Sequence, residues 1–195
     1  MTAITSLESI HKKGIFGDHQ KKNESELLQI SEVKGLTIVQ FVQYKKTKVE
    51  SKSIKIDGLY LPMEKSLVSI NKDTRILWNG PRNWLIISTK EDIIKQINKD
   101  YNNKDFAITD ISHSRAVIQI KGSSAREVLK KGCPLNFNSF EKNFCAGSIF
   151  HGITILIDCI DNNPDTFNLF VLRSFGESFY HHVTDSALEF GYLGI

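Results

Sequence analysis

The chain has 195 residues, 41% apolar and 10% aromatic, and its 25 basic and 22 acidic side chains leave a formal charge of +3. That length suits one ordinary domain or two small lobes, with enough apolar surface to form a core without disulfide or metal staples. The lysines are scattered, which argues against nucleic-acid binding; the nearest basic cluster is His11, Lys12, Lys13, Lys21 and Lys22.

Three cysteines, Cys133, Cys145 and Cys159, show no CxxC spacing and no paired histidines, so neither a zinc site nor a disulfide framework is expected. Apolar runs such as Ile153 to Ile157 are too short to cross a bilayer, and no basic segment followed by an apolar stretch opens the chain. A soluble, cytoplasmic protein with no membrane partner is the expectation.

In chain order, residues 1–34 are rich in Lys, Ser, Glu and His with apolar residues dotted singly, and read as a partner-binding tail. Phe16, Leu27 and Leu28 are its expected anchors on a partner. The folded domain is predicted over residues 35–195. Leu36 to Tyr44 is β-branched and aromatic and reads as a strand; Asp57-Gly58 offers a turn before Leu59 to Pro62.

Arg75 to Ser88 carries two short strands around Asn79-Gly80-Pro81, a hairpin holding Trp78 and Trp84 as core or interface anchors. Ser88 and Glu91 have capping-box spacing ahead of a helix with Ile93, Ile94, Ile97 and Tyr101 on one face. Phe106 to Asp110 and Ala116 to Lys121 read as a second hairpin, with Ser112-His-Ser114 as its reversal. A second capping box, Ser124 and Glu127, starts a helix to Lys131, with Gly132 in a left-handed cap and Pro134 beyond.

Ser148 to Ile160 and Thr166 to Arg173 read as two further strands joined at Asp161 to Asp165. Ser174 and Glu177 form a third box before a closing helix with Phe179, Val183, Ala187 and Phe190 on one face. The recurring order of strand, turn, strand and helix predicts an α+β fold, antiparallel sheets with helices on one face.

Asp110-Ile-Ser-His-Ser-Arg115 gathers the most chemistry, yet neighbours on a strand point to opposite faces, so adjacency does not build a triad. Asp110 and Arg115 are read as a structural pair flanking the reversal, with Ser112 satisfying backbone groups. His181 and His182 lie about 100° apart on a helix and cannot chelate one ion, so they read as a solvated face. Cys133 reads as a small packed residue at a helix end. Gly80, Gly122, Gly132 and Gly147 are isolated, with neither a dinucleotide fingerprint nor a P-loop. No catalytic, cofactor-binding or metal-binding residue is assigned.

Three stretches together resemble a known family. Leu77-Trp-Asn-Gly-Pro-Arg-Asn-Trp-Leu-Ile86 is similar to the tryptophan hairpin of sarcosine oxidase γ subunits, and Asp110-Ile-Ser-His-Ser-Arg-Ala-Val-Ile-Gln-Ile-Lys-Gly122 to their central motif. Ala125-Arg-Glu-Val-Leu-Lys-Lys-Gly-Cys-Pro-Leu135, with Phe167 to Phe175 downstream, resembles the family's helix ending in a Gly-Cys-Pro turn and its later Arg-Ser-Phe strand end. The resemblance covers about residues 36–191 and not the tail.

It implies a fold like that of the aminomethyltransferase, or glycine-cleavage T-protein, superfamily, and a non-catalytic γ subunit working with α, β and δ subunits. The implied reaction of the assembly is oxidative demethylation of sarcosine to glycine, with FAD, FMN, NAD and tetrahydrofolate in the α and β subunits and zinc in δ. The resemblance transfers no site residue to this chain. A related N-methyl amino acid dehydrogenase has a similar small subunit, and a stand-alone folate-binding or aminomethyl-transferring protein is the alternative from another class.

Overall fold

The computed structural model describes residues 5–20 and 22–195; Lys21 of the basic cluster and the first four residues of the 1–34 segment lie outside them. The strands are β1 (Gly14–Phe16), β2 (Leu28–Glu32), β3 (Thr37–Gln43), β4 (Lys55–Ile56), β5 (Leu59–Tyr60), β6 (Val68–Ile70), β7 (Thr74–Gly80) and β8 (Asn83–Ser88). Helix α1 (Ile93–Asp100) precedes β9 (Phe106–Asp110) and β10 (Arg115–Lys121), and α2 (Ala125–Gly132) precedes β11 (Cys145–Phe150), β12 (Ile153–Asn162) and β13 (Asp165–Leu172). Helix α3 (Gly176–Ala187) and β14 (Tyr192–Gly194) follow.

The chain divides into two units, one made of the residues up to Lys34 with Ser114–Lys142 and Ala146–Ile195, the other of Gly35–His113 with Asn143–Cys145. The first is built on a seven-stranded sheet in the order β1-β14-β2-β10-β13-β12-β11. β10 pairs antiparallel with β2 and β13, β13 with β12, and β1 with β14, whereas β14 runs parallel to β2.

Register sorts this sheet's side chains by face. Ala116, Ile118 and Ile120 align with Val171, Leu169 and Phe167, and these with Ile155, Ile157 and Cys159, all buried. The helices lie on this apolar face: the Arg126 guanidinium of α2 sits 5.6 Å over the Phe167 ring, and a Cβ on Gly176 of α3 would stand 3.4 Å from the Ala116 Cβ. α2 supplies Ala125, Val128 and Leu129, and α3 supplies Phe179, Val183 and Ala187. The opposite parity carries a polar line, Gln119, Asn168 and Asp158, in which Gln119 donates to Asn168 Oδ1 at 2.9 Å.

The second unit holds a five-stranded sheet, β6-β7-β8-β3-β9, and the small β4-β5 ribbon. Its core gathers Val39, Phe41, Ile76, Trp84, Ile86 and Phe106 from the sheet, Ile54, Ile56 and Leu61 from around the ribbon, and Ile93 and Ile97 from α1. Phe41 stacks on Phe106 at 4.8 Å and meets Tyr101 edge-on at 5.4 Å, the offset and T-shaped contacts that aromatic quadrupoles favour. Residues 93 and 97 are a helical turn apart, which is why α1 buries that edge.

Several expectations are corrected. The segment read as a tail supplies two strands of the seven-stranded sheet: β1 pairs with β14, and β2 lies between β14 and β10. Leu27 and Leu28 are 3% and 1% exposed, so these predicted partner anchors are core, each burial being worth about 1.5–3 kcal/mol. Their alternation was too short to be legible as a strand without its neighbours. β9 and β10 are not a hairpin either; they belong to different sheets, and Ser112–Ser114 is a 3-10 turn that carries the chain from one to the other.

The stretch 148–160 is not one strand but the end of β11, a turn at His151-Gly152 with φ of 46° and 84°, and β12. None of the three predicted capping boxes supplies a side-chain cap, and the helices of two of them start later, after Asp92 and Phe175. Gly132 ends α2 without a left-handed φ; it is needed because a Cβ would lie 2.7 Å from His151 Cδ2 and 3.0 Å from Phe150 Cδ2.

Candidate functional site

The Asp110 segment forms a local cap. Asp110 Oδ1 accepts from the Ser112 N–H at 2.9 Å and from its hydroxyl at 2.5 Å, and these bonds hold the carboxyl below the ordinary value. Ser112 Oγ in turn accepts from the Ile38 N–H at 2.9 Å, so the hydroxyl ties the turn to β3. Arg115 donates to the Ser114 carbonyl at 3.4 Å. Asp110 falls in the second unit and Arg115 in the first.

Of the predicted aromatic anchors, Trp84 is 2% exposed and donates its indole N–H to the Pro62 carbonyl at 2.8 Å; it is core, held by a polar handle. Trp78, its cross-strand partner, is half-buried. Phe16 is half-buried too, stacked on Tyr192 with ring centroids 5.2 Å apart.

A cleft of about 410 Å³ opens in the first unit, lined by His181, His182, Thr184, Asp185, Leu188 and Tyr192. The Thr184 hydroxyl is turned into its own helix, donating to Tyr180 O at 3.0 Å. Burial pushes the Tyr192 phenol up, with the nearby Tyr180 adding to the shift. His181 is exposed and 4.0 Å from Glu177, while His182 stacks on His151 at 5.1 Å. Among the described residues no group of three or more His, Cys, Asp or Glu converges as a metal site.

Two polar networks escaped the sequence reading. Arg126 grips Asp165 through Nε at 2.8 and 2.9 Å and caps the Phe137 and Phe140 carbonyls, clamping α2 to the β12–β13 end and the 137–139 turn. In the second unit Asp57, at φ 51°, accepts from Lys90 Nζ at 2.6 Å, Thr74 Oγ1 at 2.6 Å and Asn71 Nδ2 at 3.1 Å. Burial pushes the Asp57 carboxyl up, but these bonds and the Lys90 charge outweigh it and leave it below the ordinary carboxylate value. Only the Asp57-Gly58 turn signal was visible in advance. Burial pushes the Cys133 thiol up, and its Sγ donates to Ser148 Oγ at 3.1 Å.

Exposed apolar side chains form the remaining feature. Tyr60, Met63, Leu67 and Ile70, 42–54% exposed, follow one another along β5, β6 and the segment between them.

The fold is shared with solved structures. A chain of the heterotetrameric sarcosine oxidase from Corynebacterium sp. U-96, solved in complex with pyrrole 2-carboxylate, superposes with a TM-score of 0.81 at 18% identity, covering 97% of each chain. The glycine cleavage system aminomethyltransferase T from Bartonella henselae superposes with a TM-score of 0.61 at 10% identity, over 82% of this chain and 46% of that one. The class is therefore the α+β fold that these two proteins have in common. Residues 49–189 match the sarcosine oxidase, gamma subunit family, and the chain belongs to it. The sarcosine oxidase subunit gamma of Corynebacterium sp. (strain P-1) is 24% identical over 137 residues, 68% of this chain and 66% of that relative's length.

Proposed function

We propose that this chain is the γ subunit of a heterotetrameric sarcosine oxidase, a non-catalytic scaffold for the oxidative demethylation of sarcosine to glycine. The family match over residues 49–189 carries the reading. The chemistry of the side chains agrees with it: the Asp110, Asp57 and Arg126 groups are spent on holding turns and strands, and the Thr184 hydroxyl on its own helix. In this reading the α, β and δ subunits are the partners and the assembly works in the cytoplasm. FAD, FMN, NAD and tetrahydrofolate are held by the larger subunits and zinc by δ.

Trp78 and Phe16, half-buried, remain proposed partner anchors, joined by the exposed Tyr60, Met63, Leu67 and Ile70. Asp110 and Arg115 are proposed as structural residues around the 112–114 turn; Arg115→Ala lowering both folding yield and assembly supports this, and no change in either refutes it. The decisive experiment is co-expression of the tagged chain with the oxidase subunits of its own cell. Recovery of a flavin-containing complex that oxidises sarcosine, alongside a colourless, inactive isolated chain, is the expected result. Flavin retained by the isolated chain rejects the proposal.

A further inference from the structure

Four strands end the two main sheets: β1 and β11 in one, β6 and β9 in the other. A sheet edge exposes unpaired N–H and C=O groups, and proteins blunt it with charge, Pro or shortness. β1 and β6 are three residues each, and β9 ends on Asp110. β11 is six residues long and reads Cys-Ala-Gly-Ser-Ile-Phe, with neither a charge nor a Pro.

The two-residue turn His151-Gly152, with positive φ at both positions, closes β11 onto β12. Such a hairpin bonds Phe150, Ser148 and Ala146 to the neighbouring strand and turns the backbone groups of Ile149, Gly147 and Cys145 outward. The flanking bonds agree with this parity: the Cys145 N–H donates away from β12 to Ser66 O at 2.8 Å, and the His151 N–H to Gly132 O at 3.0 Å. In between, Gly147 and Ile149 are exposed, and among the described residues neither N–H donates to a backbone carbonyl outside the sheet's own ladders. The Ile149 carbonyl accepts from the Ser148 hydroxyl at 3.5 Å. A Cβ on Gly147 would meet nothing within 4 Å, and Ile149 is 45% exposed.

We propose that this edge takes up an extended segment of a larger subunit of the same oxidase as an added strand, with an apolar side chain against Ile149; the inference rests on the γ-subunit reading. Outward N–H and C=O groups beside an uncharged row are complementary to another backbone in β conformation and to an apolar, not a charged, side chain. Two outward residues bury far less than the roughly 1,000 Å² that a specific interface between two copies needs. They suit a register lock on a subunit held elsewhere as well.

The test uses the co-expressed complex and two edge variants. Ile149→Lys places a charge on the edge, and Gly147→Pro removes an outward N–H without breaking a bond to β12. Both variants are expected to fall at least tenfold in recovered complex, with Ile149→Val at the wild-type level and the isolated chains unchanged in circular dichroism. Independently of any variant, the Gly147 and Ile149 amides of the wild-type chain are expected to exchange at least tenfold more slowly in the complex than alone. Full recovery of both variants, or unchanged exchange at both amides, overturns the proposal while leaving the γ-subunit reading standing. A wild-type chain that recovers no oxidase subunit overturns both. A wild-type homodimer that Ile149→Lys dissolves, with the complex unaffected, assigns the edge to a second copy and also overturns it.

Discussion

Trp78 and Trp84 are cross-strand partners in one hairpin, yet only Trp84 is buried, its indole N–H fixed on the Pro62 carbonyl at 2.8 Å. Replacing Trp84 by Phe leaves that carbonyl bare and opens a void, which is expected to cost about 2–3 kcal/mol. Trp78→Phe is expected to stay within about 0.5 kcal/mol, as for a half-buried site without such a bond. Urea midpoints of the two variants check this, and equal losses contradict it.

Residues 2–30 are expected to be indispensable to folding. Their removal takes away β1 and most of β2, stripping β10 of its partners at Ile120 and Lys121 and removing Leu27, Leu28 and Ile30 from the core. At about 1.5–3 kcal/mol for each of those three side chains, the loss is comparable to the whole stability of a domain. The truncated chain should show no cooperative thermal transition; a transition at the wild-type temperature would mean that the segment is a dispensable arm.

Gly132→Ala tests why that glycine is there. A left-handed cap would make the change a matter of backbone strain, whereas here the new methyl meets the His151 and Phe150 rings, at an expected cost of about 1–2 kcal/mol. Adding His151→Ala should recover part of that loss by clearing the nearer ring. Thermal denaturation of the single and double variants reads the coupling, and simple additivity speaks against the steric account.

The Asp57–Lys90 pair gives a pH signature. Asp57 is depressed when folded, so its contribution is complete above its unfolded value of 3.8 and is lost as pH falls through the lower folded value. Lys90 is raised by its hydrogen bond to Asp57, so its share is complete below 10.5 and is lost as pH rises through the raised value. Asp57→Asn, which tolerates the left-handed backbone, should therefore lower the Tm by a few degrees throughout the neutral range. The gap from wild type should close only in strong acid or strong base, and a gap that varies between about pH 5 and 9 contradicts the assignment.

The hairpin at Asn79-Gly80-Pro81 was legible because its turn chemistry and both apolar strands are adjacent in sequence, and the α1 face because its spacing is helical. β2 was not: its five residues acquire a meaning only from β10 and from β14, far along the chain. Ser88 had the right distance to Glu91 for a cap, but its hydroxyl donates to the Asp73 carbonyl at 3.1 Å, meets Thr74 Oγ1 at 2.9 Å and accepts from the Lys90 N–H at 3.1 Å, in the turn ahead of α1. Spacing proposes a bond that tertiary neighbours then take. Arg126 and Asp165, 39 positions apart, left no local trace at all. The candidate site was the least legible part, because an outward-facing backbone is a property of pairing and not of side-chain type.

The insertion of β14 between β1 and β2 has a consequence for synthesis. Gly14 to Phe16 pair with Tyr192 to Gly194, so the first strand is made well before its partner. At roughly 5–20 residues per second the early strand waits on the order of ten seconds or more for its neighbour. Until then Leu28 and Ile30 lack the flanking strand that finishes their side of the sheet, so the nascent chain carries an unfinished, sticky margin through translation. A chaperone that shields that margin, or a truncated message that never supplies Tyr192, would decide the fate of the protein before any subunit meets it.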